Sequence, residues 1–114
     1  MSDVQSFAGT VTIASAGTQG NVLTSPTLGN AKAIIIVPPA ALTGTVSLVG
    51  SPAGNVAGAS LQPVRRNIDS ADVTIVAGKT TFIEVGGLRS VSLRSGSAEA
   101  ADRAFSVYVI HGAR

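Results

Sequence analysis

The chain has 114 residues, 45% hydrophobic and 12% charged, with a formal net charge of +2 and no cysteine. That length suits one domain of about 100–150 residues, and the lack of thiols excludes disulfides and thiolate metal sites and fits a protein made in a reducing cytosol. A net charge of +2 on mostly dispersed basic side chains, with three Phe and one Tyr as the only aromatics, argues against nucleic-acid binding.

The opening "MSDVQSFAGT" carries an acidic residue where a signal peptide has a basic segment, and it has no apolar core. The chain is therefore expected to remain in the cytoplasm of the cell that makes it until it is assembled into something. Residues 1–9 show no periodicity and are expected to form an arm, with Val4 and Phe7 as isolated apolar anchors among polar neighbours. Residues 10–114 then make one β domain.

Period-two alternation, bounded each time by Gly, Pro, Ser or Asn, predicts strands at residues 10–14, 20–24, 32–37, 45–49, 61–64, 73–76, 80–85, 90–94 and 104–110. The fold class that follows is all-β: a single-domain β-sandwich of eight or nine short strands, with a jelly roll as the candidate topology. Two strands break the one-sided rule. "AIIIV" at 33–37 is apolar on both faces, and "FSVYVI" sets Phe105, Val107 and Val109 on one face and Tyr108 and Ile110 on the other. A two-layer domain has no third sheet for those second faces, so a folded-over loop or a partner subunit must cover them. The longest apolar run, "AIIIVPPAAL", is too short for a bilayer and is interrupted by Pro38 and Pro39, so no membrane span is expected.

Loops carry the remaining signals. Residues 50–60, "GSPAGNVAGAS", read as a long Gly-rich connection. Residues 97–105, "SAEAADRAF", could form one helical turn with Ser97 as N-cap and Glu99 and Asp102 near its start, held only by tertiary packing. The Arg65 and Arg66 pair either grips a carboxylate on a neighbouring subunit or makes a local ion pair with Asp69 or Asp72.

A search for chemistry yields little. Nucleophilic catalysis needs a nucleophile, a base and a group that orients the base, yet the one histidine, His111, lies four residues from the end and no G-x-S-x-G occurs. Asp69 and Asp72 are the only close acidic pair, and Asp before a strand ordinarily makes an Asx turn rather than a cation site. "GNVAGAS" lacks the Lys and the context of a phosphate loop. The expectation is a protein that is not an enzyme and needs no cofactor or metal.

The segments "VTIASAGTQGNVL", "AIIIVPPAALTGTVSLVGS" and "GGLRSVSLRSGSAEAADRAFSVYVI" together resemble small head-gene virion proteins of tailed bacteriophages. The shared pattern is an opening strand, an apolar strand closing in Pro, an Ala-Leu-Thr step, and a Ser-Gly-Ser-Ala loop before a final Arg-containing strand. Residues 95–103 are its most specific piece, and the 50–60 loop departs from it. The resemblance implies a capsid decoration or cement protein on the exterior of the virion, bound to the major capsid protein, while the second apolar faces of "AIIIV" and "FSVYVI" lead to the expectation of a homotrimer or, alternatively, a homodimer. The candidate protein-contact residues are Val4, Phe7, Arg65, Arg66, Ser95, Ser97, Glu99, Asp102, Arg103 and Tyr108. A head-fibre base or tail component is the alternative virion role. A carbohydrate-binding β-sandwich is the competing class, against which stand the absence of Trp and the solitary Tyr108.

Overall fold

The computed structural model describes residues 4–24, 31–54, 57–65, 72–84 and 88–111. Among these, nine strands form two sheets: β1 (Val4–Ile13), β2 (Leu23–Thr24), β3 (Ala31–Val37), β4 (Val46–Ser51), β5 (Gln62–Pro63), β6 (Thr74–Ile75), β7 (Thr81–Glu84), β8 (Ser90–Ser95) and β9 (Arg103–His111). All pairings are antiparallel. The first sheet runs β1-β9-β3-β7, and the second runs β2-β8-β4-β5 with β6 also on β4. Counting β5 and β6 as one interrupted strand beside β4 gives eight positions, with the chain passing back and forth between layers. This is the strand order of a jelly roll.

Alternation explains the core. The inward positions Val11 and Ile13, Ile34 and Ile36, Ile83, and Phe105, Val107 and Val109 line the first sheet, facing Val46 and Leu48, Ile75, and Val91 and Leu93 of the second. A domain of this size has one such core, and Phe105 at its centre is fully buried.

Each expected strand is present, but the boundaries differ for identifiable reasons. The segment at 20–24 shortens to Leu23–Thr24. Asn21 has left the β2 ladder: its Oδ1 accepts the Thr12 amide at 2.7 Å and its Nδ2 donates to the Thr10 carbonyl at 3.2 Å. A side chain thus occupies the open edge of β1, a position that would otherwise invite another strand. Asn21→Ala is expected to destabilise the fold by about 1 kcal/mol and to speed hydrogen exchange at the Thr12 amide. Unchanged protection of that amide would refute the role.

The arm expected over residues 1–9 is corrected by the structure from Val4 onward. Val4 through Gly9 belong to β1 and pair with β9, from Val4 opposite His111 to Gly9 opposite Val107. Their alternation is hidden by a bulge between Phe7 and Gly9, which turns residues 7 and 9 to opposite faces. Gly9 has φ of +146°, a conformation side-chain-bearing residues avoid. The helical turn expected over 97–105 does not form either. The Glu99 amide donates to the Gly17 carbonyl at 3.0 Å and the Ala16 amide donates to the Glu99 carbonyl at 2.7 Å, so residue 99 is held in a cross-chain exchange that leaves no backbone for a helix. The helical element described is a 3-10 turn at Gly58–Ser60.

Candidate docking surface

The two sheets have different outer faces. On the second sheet, Ser47 pairs with Arg94, Val49 with Ser92 and Ser51 with Ser90. Residues on both sides of the 55–56 step are fastened to it: Arg94 Nη2 donates to the carbonyls of Gly58 at 3.0 Å and Leu61 at 2.9 Å, and Ser90 Oγ donates to Ala53 O at 2.7 Å. A cleft of about 300 Å³ remains beside Arg94, with Thr45, Ser47, Val49 and Pro63 in its lining. These contacts lie on the second sheet, not on β3 and β9, the doubly apolar strands for which a cover was expected.

The first sheet's outer face carries an apolar row between polar positions such as Thr10, Ser106 and Glu84. Register places Phe7 of β1 opposite Tyr108 of β9, Tyr108 opposite Ile35 of β3, and Ile35 opposite Phe82 of β7. Paired residues in an antiparallel sheet share a face, so Phe7, Tyr108, Ile35 and Phe82 form one row across all four strands. The rings of Phe7 and Tyr108 meet edge-on, 5.2 Å apart with an interplanar angle of 62°, an attractive aromatic geometry. Phe7 and Phe82, at the two ends, are 57% and 58% exposed, and Val37 beside the row is also exposed. Three of the chain's four aromatics stand on this face, and the fourth, Phe105, is in the core.

The sequence-predicted contact residues divide sharply. Phe7 and Tyr108 meet on the apolar row. Val4 sits on β1 opposite His111. Arg65 makes the local ion pair, with its Nε 3.3 Å from Asp72 Oδ1 and both side chains exposed. Arg66 and Asp69 lie outside the described residues. Phe82 was missed, although "TTFIEV" places it on the face opposite the buried Ile83, which is the ordinary sign of an exposed aromatic.

The 95–103 loop is tied inward. Glu99 is 1% exposed, and its carboxylate accepts hydrogen bonds from the Thr43 amide at 2.8 Å, the Gly44 amide at 2.9 Å, Ser95 Oγ at 2.6 Å and Arg103 Nε at 3.0 Å. Burial pushes its pKa up, but the Ser95 hydroxyl, the Thr43 and Gly44 amides and the Arg103 guanidinium outweigh burial and hold the carboxyl at about 2, below its ordinary 4.5. Gly44 is required by this cradle: a Cβ there would run into Ser95 Oγ and the backbone of Ser97. Asp102 Oδ1 accepts the Ser15 amide at 2.7 Å. Ser95 and Glu99 are therefore buried joints between the 14–18 turn, the 43–44 turn and β9, which corrects their reading as contact residues. Ser97 and Asp102 remain exposed at the loop surface.

No protein-family model matches the sequence, and no curated protein matches it. Among solved structures, the chain is similar to one described as the crystal structure of SPBc2 prophage-derived protein YomS, with a TM-score of 0.60 over 96% of this chain and 93% of the other, at 10% sequence identity. At that identity the likeness is one of fold.

Proposed function

We propose that the chain is a bacteriophage virion structural protein that decorates the outer capsid shell and reinforces contacts between capsomers. The observation that carries this reading is the row Phe7, Tyr108, Ile35, Phe82, with an exposed ring at each end, on a domain whose 95–103 loop is tied inward by its own hydrogen bonds. Such a module functions by burying surface. The prophage origin of the protein of like fold supports a phage setting, as does the pattern of segments described above. Small β modules that sit on a lattice gain strength by repeating one modest contact many times. Self-association is part of the proposal, because the second faces of β3 and β9 need a cover. A trimer at a local threefold junction and a dimer on a local twofold axis both supply one.

The test is protein mass spectrometry on purified particles of the phage that carries the gene, with heads and tails separated. The chain is expected in the head fraction and is expected to rebind to heads stripped of it. Recovery with tails alone would favour the tail-component reading, and absence from both fractions would overturn a virion role.

A further inference from the structure

We infer that the outer face of the four-stranded sheet is the contact between two copies of this chain, packed face to face about a twofold axis parallel to the strands. This deepens the docking reading of the same face, and its test does not depend on the particle.

The row is close to self-complementary when reversed. Across β1-β9-β3-β7 it reads Phe7, Tyr108, Ile35, Phe82, with a large exposed aromatic at each end and two half-buried residues in the middle. An isologous contact requires that residue i meet residue j while j meets i. Reversing this row against itself does so: Phe7 lies over Phe82 of the second copy, Tyr108 lies over Ile35, and both pairs occur twice. Sheets pack face to face at about 10 Å with strands nearly aligned, which such an axis permits.

Charge agrees. The adjacent row reads Gln5, Ile110, Ala33, Glu84, and the same reversal lays Glu84 over Gln5 of the second copy, so no like charges meet. Area fits a weak pair. Four strands about 4.8 Å apart, over about six residues each, present roughly 400 Å² per copy, and two copies bury roughly 800 Å², the size of a transient contact rather than a permanent one. The expected pair is therefore reversible, with monomer and dimer exchanging as concentration changes.

The absence of cysteine from the chain allows a direct test. Phe7→Cys and Phe82→Cys are made in the full-length protein singly and together, and circular dichroism checks that each remains folded, as exposed positions should. Sheets about 10 Å apart are too far for a direct disulfide, so with a thiol-to-thiol crosslinker that spans about 10 Å a mixture of the two single variants is expected to form covalent dimers, while each alone forms few. The double variant should close as a dimer carrying two crosslinks. In parallel, sedimentation velocity should show association that rises with concentration, weakened about tenfold or more by Phe82→Glu. A product of the double variant that runs on to trimers or longer ladders would overturn the twofold. So would equal crosslinking of Phe7→Cys alone, association unaffected by Phe82→Glu, or a protein that stays monomeric at every concentration.

Discussion

Replacing Phe105 with alanine is expected to lower the unfolding free energy by about 3–5 kcal/mol, the largest loss from any single core truncation in this chain. The reason lies in where the ring sits. Phe105 is fully buried, is among the largest buried side chains, and belongs to β9, the central strand that pairs with both β1 and β3. Its cross-strand partner is Val11, itself fully buried, and the facing sheet supplies β-branched and Leu side chains with little freedom to fill a ring-sized void. In urea denaturation the midpoint should fall sharply while the slope with denaturant stays unchanged. A loss under about 1 kcal/mol would mean that the two layers are not packed around this ring.

The second large effect is expected at Glu99. Glu99→Ala leaves the Thr43 and Gly44 amides, Ser95 Oγ and the mostly buried Arg103 guanidinium without their shared acceptor, and removing one member of a buried ion pair typically costs about 3–5 kcal/mol. The same site sets an acid limit. The folded carboxyl titrates at about 2 and the free one at 4.5, so ionised Glu99 contributes stability that is fully present above about 4.5 and is lost as pH falls through about 2. Denaturation midpoints of the natural chain and Glu99→Gln should therefore differ widely at neutral pH and converge as pH drops through that window. A gap that is the same at pH 7 and pH 2.5 would show that the charge of Glu99 contributes nothing.

Strand positions were legible in the sequence because alternation is a local signal, and the two doubly apolar strands, β3 and β9, are the central pair of the sheet that carries the row. Phase is where local reading failed. The bulge at Gly9 shifts the alternation of β1 by one residue, so its first half looked like an arm. Phe7 was chosen as an anchor and does stand exposed, but as part of a sheet rather than a tail. Glu99 illustrates a different limit. A lone Glu in an Ala-rich loop looks like a surface charge, and only the meeting of residues 43–44 with 95–103, more than fifty positions apart, makes it a buried joint. The row itself depends on which strands are neighbours, and β1 beside β9 beside β3 beside β7 is a fact of the jelly-roll topology that no short segment contains.

The most direct measurement is a reconstruction of the native phage particle at a resolution that places this chain. The expected result is density for the chain on the outer shell as twofold-related pairs, with Phe7, Tyr108 and Phe82 enclosed between the two four-stranded faces. Density showing that face open to solvent, or a shell without the chain, would contradict it.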